Sequence, residues 1–240
     1  TVLSFDGTGD YLDVASSSDW SYGTGDFTIE FWAMILSGGG GNYISVNKDA
    51  NGQVNASANL ANGNTAFDIR NDAGQNTNMV AAGVIKANTW YHIVACRDGS
   101  TFRHYVDGVQ YSTGNNTPTG NYGSSDALKW ASDGSSFLTG YLAGMRISKG
   151  VCRYPDGTTF TPPTEAFVSD AQTVFLLQDG TDGTQTPTTD TGNTGHTITY
   201  NGDARWIGPK VGKGMAVFDG TGDYLDVTQS VEFDFGGGNC

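Results

Sequence analysis

Three glutamates, Glu30, Glu165 and Glu232, and twenty-two aspartates make up the acids of this 240-residue chain. Cleaving a glycosidic bond with retention takes two carboxylates about 5 Å apart, which on one strand means alternate residues facing the same way. Glu30 is the lone acid of the segment running from Phe27 to Trp32 and has no such partner, so it reads as a solvated or hydrogen-bonded strand residue. His92 and His104 fall near each other across a predicted hairpin and could begin a zinc site, but no third ligand follows at a suitable spacing. His196 reads as a loop or strand-start residue, and Arg97 with Arg103 is too few for a carboxylate-binding arginine cluster. Aromatic rings offer a different chemistry, because sugar C–H faces stack on them while polar loops take the hydroxyls. Trp20, Tyr22, Tyr43, Tyr122 and Trp130 fall in loops or at strand ends and are the candidate ligand-binding residues, whereas Trp32 and Trp90 read as core. Gly38 to Gly41 is a flexible loop rather than a phosphate cradle, since no Lys-Ser/Thr and no helix follow it.

Composition narrows the partners. The net charge is −13 and the sequence pI is near 4.3, which leaves no clustered Lys and Arg to release counterions from nucleic acid or to meet an anionic membrane. No apolar run approaches the roughly 18 residues of a spanning helix. Cys96, Cys152 and Cys240 are an odd set without metal-binding spacing; they read as free, mostly buried thiols, with a Cys96–Cys152 bridge as the alternative.

The elements that must position these residues are strands. Period-two alternation runs nearly throughout, as in Phe27, Ile29 and Phe31 against Thr28, Glu30 and Trp32. Trp90 to Arg97 and Thr101 to Val106 form a hairpin about Asp98-Gly99-Ser100, and Asp107-Gly108 turns the chain into Val109 to Tyr111, because a tight hairpin turn needs positive φ. Further strands are expected at Tyr43 to Val46, Ala66 to Arg70, Leu128 to Trp130, Tyr141 to Ile147 and Val174 to Leu177, with a long loop from Gly180 to Gly195. Many short strands with Gly- and Asn-rich turns imply an all-β, antiparallel sandwich.

An internal repeat sets the expected organisation. The ten residues from Phe5 to Val14 recur unchanged from Phe218 to Val227, 213 residues later. The chain thus reads as a window on a tandem array, with one domain over residues 1–170 and the opening strands of a second, incomplete repeat over 171–240. The first copy would lack its own opening strands before Thr1. Val174 to Leu177 is a continuous apolar run that must be buried, and it is expected to fill that slot, in cis or from a neighbouring subunit. Residues 218–240 would then pack elsewhere.

Several motifs, in order, resemble those of laminin G-like domains of the concanavalin A-like jelly-roll superfamily. They are Phe5-Asp6-Gly7 with Asp10-Tyr11-Leu12, Phe27 to Trp32, Trp90-Tyr91-His92, Tyr105 to Gly108, and Gly140-Tyr141-Leu142 followed by Arg146 to Gly150. The tail Arg153-Tyr154 with Phe160 to Pro163 is similar to the version found in bacteriophage and marine-virus structural proteins. The resemblance implies a jelly-roll sandwich, and the Trp-x-His pattern makes His92 structural. The β-glucanase branch of the superfamily resembles Glu-x-Asp-x-x-Glu on one strand, which this chain lacks. Pentraxins share the jelly roll, and their calcium-binding positions correspond to Asp49 with Asn51 and to Asp133 beside Ser132. Calcium is therefore the metal that these residues would take as a cofactor, and capping of their turns is the reading set against it. The sequence departs from the family at Ala143-Gly144, where acids are common. The expectation is a non-enzymatic module of an extracellular or virion-surface protein that binds a glycan or a surface protein and associates with itself or neighbouring virion subunits, without nucleic acid or membrane insertion. The rivals are a purely architectural assembly protein and a glucanase-like hydrolase.

Overall fold

The computed structural model describes residues 1–37, 41–46, 52–115 and 120–208. Along these the chain passes through Val2–Asp6 (β1), Tyr11–Val14 (β2), a 3₁₀ turn at Ser18–Trp20, Ser21–Gly23 (β3), Phe27–Ile35 (β4), Gly41–Val46 (β5), Val54–Asn59 (β6), Asn64–Arg70 (β7) and Asn76–Ala81 (β8). It continues through Trp90–Asp98 (β9), Thr101–Val106 (β10), Val109–Asn115 (β11), Tyr122–Gly123 (β12), Leu128–Trp130 (β13), Thr139–Lys149 (β14), Thr173–Leu177 (β15), Ile198–Asn201 (β16) and Arg205–Ile207 (β17). One sheet has the order β11-β10-β9-β4-β14-β1-β17 with β15 also on β14, and the other runs β16-β2-β13-β5-β6-β7-β8. All pairings are antiparallel, and a short β3–β12 ribbon is separate. This is the expected sandwich.

The core lies between the sheets. Phe31 packs edge-on to Trp130 at 5.6 Å and beside Tyr43 at 5.2 Å, while Trp130 stacks on Phe175 at 5.7 Å. Aromatic rings here contribute both area and ring geometry. The β9–β10 and β10–β11 hairpins form where expected. At the second, Asp107 and Gly108 have φ of 49° and 76°, and this pair of positive values is what a two-residue type I′ turn requires. Asp107 also accepts the His92 N–H at 2.8 Å, which ties the turn to the neighbouring strand.

Residues beyond 170 complete the sandwich made by those before it. β1 covers only the first half of one edge of β14, pairing Leu3 with Leu142 and Asp6 with Thr139. β15 takes the other half in cis, with Met145 opposite Leu177 and Ile147 opposite Phe175. β16 then pairs with β2 and β17 with β1, and Trp206 is fully buried. The run from Val174 to Leu177 thus fills the slot predicted for it. The division expected at residue 170 is not a boundary of packing, because strands on both sides share the same sheets; the compact unit is Thr1–Pro209. The second copy, Phe218 to Val227, lies outside the described residues.

The paired imidazoles do not meet. His104 shares the inward face of β10 with Phe102 and Val106 and sits edge-on to Phe67 at 5.1 Å, whereas His92 projects from the opposite face of the same sheet. Register places Ala95, not His92, against His104. Burial pushes the His104 pKa down to about 4, against a weaker upward pull from a backbone hydrogen bond with Met79.

Two outcomes follow. Phe175→Ala should lower stability by about 3–5 kcal/mol in urea unfolding, and Leu176→Asp, which buries a carboxylate on a strand only 2% exposed there, should prevent folding; a folded Leu176→Asp protein would show β15 to be dispensable. The second concerns acid. Below pH 6.5 the unfolded chain protonates His104 and the folded one does not until about pH 4, so stability falls as pH drops through that window, by about 3 kcal/mol. The difference between the native chain and His104→Leu, measured from pH 7 to pH 4, isolates this contribution.

Candidate functional site

The outward face of the β9-β4-β14 sheet is not left to solvent. Residues 150–168 cross it as a strap, and beneath the strap lie Thr28, Glu30 and Trp32 of β4, His92, Val94 and Cys96 of β9, and Arg146 and Ser148 of β14. The strap is pinned from below. Tyr105 donates its hydroxyl to the Tyr154 carbonyl at 2.9 Å, Phe160 N–H donates to the Gly108 carbonyl at 3.0 Å, and Tyr154 stacks on Phe160 at 3.9 Å.

Glu30 is the centre of this layer and is completely buried. Register sets it opposite Arg146, whose Nε and Nη2 donate to Oε1 at 2.8 and 2.6 Å. The Tyr154 hydroxyl donates to Oε2 at 2.8 Å. His92 Nε2 stands 3.3 Å from the same oxygen, an electrostatic contact not aligned as a hydrogen bond. Burial disfavours the charged carboxylate, but the approach of His92 and the Arg146 charge outweigh it and hold the Glu30 carboxyl below its ordinary value. A carboxylate engaged on both oxygens is an acceptor without a proton to give.

Beside this cluster opens a cavity of about 430 Å³ whose lining includes Trp32, Gly144, Glu165, Phe167, Gln178 and Asp179. A bulge in β14 between Ala143 and Arg146 shapes its floor. Gly144 has φ +52°, and a Cβ there would press within 3.2 Å of the Phe167 ring and 3.4 Å of Trp32, so glycine lets both rings close over the strand. Arg146 lies over Phe167 at 4.1 Å, and Trp32 lies against His92 at 5.1 Å. Gln178 fixes the wall, its amide accepting from Phe167 N–H and donating to the Phe167 carbonyl, both at 2.8 Å. Glu165 and Asp179 stay exposed at the rim. The site therefore joins a half-buried indole face to two accessible carboxylates, within the volume range of small-ligand pockets.

The aromatic residues predicted from sequence lie elsewhere. Trp20, Tyr22, Tyr43, Tyr122 and Trp130 are all at most 3% exposed and belong to the core, so none presents a ring to a ligand. Burial likewise pushes the Tyr22 and Tyr43 phenols up. Trp32, read as core, is the ring that reaches the cavity. Asp49 and Asn51 lie outside the described residues. Asp133 caps a turn: its Oδ1 accepts from Ser135 N–H, Ser135 Oγ and Ser136 N–H at 2.8, 2.9 and 2.7 Å. Among the described residues no group of three His, Cys, Asp or Glu is placed to hold a metal ion.

One further polar cluster went unread in the sequence. Asp190 Oδ2 and Asp19 Oδ2 each lie 3.0 Å from a ring nitrogen of His196, and Ser17 Oγ lies 3.3 Å from Nε2. Ser17 caps the 3₁₀ turn by accepting Asp19 N–H at 3.1 Å, and Asp19 competes for the same imidazole nitrogen. The arrangement clamps the segment before β16 to the segment after β2.

Removing the Glu30 charge leaves a buried guanidinium unpaired, so Glu30→Gln should cost about 3–5 kcal/mol at neutral pH. Because the folded carboxyl titrates below its unfolded value of 4.5, the stability it contributes is complete above about pH 4.5 and is lost as pH falls further. Urea unfolding of both proteins from pH 7 to pH 3 checks this: the gap between them should narrow only in the acid part of the range.

The Laminin_G_3 family model, described as the concanavalin A-like lectin/glucanases superfamily, matches residues 6–153. The comparison with curated proteins found no match. A protein of Bacteroides ovatus ATCC 8483, named as a candidate carbohydrate binding protein, shares the fold with a TM-score of 0.56 at 12% identity, over 86% of this chain and 60% of that one. The heptameric SAP-like pentraxin of Limulus polyphemus gives 0.48 at 15% identity over 64% and 78% of the two chains. Domains LG4-5 of the mouse laminin alpha1 chain give 0.49 at 13% over 68% and 47%. This chain thus spans less than two thirds of the Bacteroides and mouse chains, and at 12% identity the likeness to the Bacteroides protein is one of fold.

Proposed function

Since the chain belongs to the concanavalin A-like lectin/glucanases superfamily, we propose that it is a non-enzymatic carbohydrate-binding module whose site is the Trp32 cavity. The observation that carries this reading is the pairing of an accessible indole with the rim carboxylates of Glu165 and Asp179. Sugar C–H groups would lie on the indole and hydroxyls would donate to the carboxylates. A rim with two acids on a protein of net charge −13 favours neutral sugars over anionic ones. The fold is also that of the Bacteroides ovatus protein named for carbohydrate binding.

Chemistry argues for binding without hydrolysis. Both oxygens of Glu30 are engaged by Arg146 and Tyr154, which leaves it unable to act as a general acid. Assembly alone is the weaker alternative: the exposed large apolar residues among those described are Val80, Val109, Tyr111 and Val168, too few for an extended apolar face. Among the described residues no helix is long and apolar enough to cross a membrane. Placement on an extracellular or virion-surface protein, binding a glycan or a surface protein, is part of this proposal. Its support is the second copy of Phe5 to Val14, since modules in series gain avidity from weak sites.

Titration calorimetry against a panel of neutral oligosaccharides tests the reading. Trp32→Ala and Asp179→Asn should each weaken binding about tenfold or more, with Asp179→Asn leaving the melting temperature unchanged because the residue is exposed. Failure of every sugar to bind at millimolar concentration, or binding indifferent to both substitutions, overturns it.

A further inference from the structure

The strap over the outer face carries a second cysteine directly above one on the sheet. Cys96 projects outward from the middle of β9 and is fully buried, while Cys152 lies in the strap and is half-buried. Their sulfurs are 2.8 Å apart, well inside the ordinary contact distance of two sulfur atoms and within a small displacement of the roughly 2.05 Å of a disulfide bond. Nothing separates them, and the surroundings hold them in place. Thr28 fixes the strap on both sides of Cys152, donating to the Val151 carbonyl at 3.0 Å and accepting Arg153 N–H at 2.9 Å. Cys96 Sγ also lies 3.6 Å from the Tyr154 carbonyl.

We propose that Cys96 and Cys152 are a reversible oxidation site, closing to a disulfide that fastens the strap to β9. The two thiols are unequal partners. The hydrogen bond between the two sulfurs holds the Cys152 thiol below its ordinary value and raises that of Cys96, and Cys152 is also the more accessible. With a small disulfide such as oxidised glutathione as the oxidant, the Cys152 thiolate attacks one sulfur and forms a mixed disulfide while the first glutathione thiolate leaves. Cys96 then gives up its proton and displaces the second glutathione from Cys152, forming the Cys96–Cys152 bond. The protein dithiol loses two electrons and two protons overall, and oxidised glutathione becomes two molecules of the thiol.

The consequence is mechanical. The strap supplies Tyr154 to Glu30 and, further along, Glu165 and Phe167 to the cavity wall. The link would join positions 56 residues apart, a closure long enough to restrict the unfolded chain strongly. Oxidation therefore stabilises the folded form without altering the sheet.

The test uses the full chain carrying Cys240→Ser, so that only this pair can react. After incubation with oxidised glutathione, the intact mass should fall by two hydrogens, peptide mapping should find Cys96 joined to Cys152, and the melting temperature should rise by about 5 °C or more. Adding Cys152→Ser should abolish that rise. Recovery of both thiols as alkylated cysteines after denaturation, or a stable glutathione adduct on Cys152 without the internal bond, overturns the proposal. An oxidant-induced rise that persists in the Cys152→Ser protein does so as well.

Discussion

A carboxylate buried without charge partners is among the most expensive groups a fold can contain, and the outer layer of this protein is organised around avoiding that cost at Glu30. Three elements converge on it: Arg146 from β14, Tyr154 from the strap and His92 from β9. Each then positions something else. Arg146 lies on Phe167, His92 lies against Trp32, and Tyr154 stacks on Phe160, whose backbone is tied to the β10–β11 turn. The cavity inherits its shape from this chain of contacts. Its wall stands where it does because the strap is held by an ion pair beneath it.

The second constraint is topological. β14 is eleven residues long and presents one edge that no single neighbour covers. β1 pairs with its first half and β15 with its second, so segments from opposite ends of the described chain share one strand. Phe175 then brings its ring onto Trp130 and Trp20. The same return path places Gln178 and Asp179 at the cavity, immediately after β15 ends. Completing the sheet and completing the site are one event in this fold.

The two polar layers differ in what they do. The His196 cluster clamps the returning segment to the start of the chain, with Asp190 also accepting the N–H groups of Leu176, Gly192 and His196. The Glu30 cluster instead fixes the strap. The carboxylates at the centre of both, Asp190 and Glu30, are engaged by internal donors, whereas the exposed carboxylates of Glu165 and Asp179 stand beside the cavity, open to a solute.

Much of the architecture was legible in the residues themselves. Strong alternation in Phe27 to Trp32 and in Trp90 to Arg97, and the positive-φ demand at Asp107-Gly108, determined strands and hairpin locally, because backbone sterics and period-two patterning act over a few residues. The apolar run from Val174 to Leu177 declared that it must be buried. β6 was not legible, since its inward positions are Val54, Ala56 and Ala58, which are too small to stand out against Asn and Ser. The site was less legible still. In sequence a tryptophan looks the same whether the sandwich closes over it, as with Trp20 and Trp130, or a bulge opens beside it, as with Trp32. Exposure depends on which distant segment crosses the sheet, and Arg146, Tyr154, Phe167 and Asp179 reach Glu30 and Trp32 from more than a hundred residues away in sequence. Local pattern determined which segments are strands; only the tertiary structure decided which aromatic meets solvent and which acid is buried, because burial is a property of what packs on a residue and not of its neighbours in the chain.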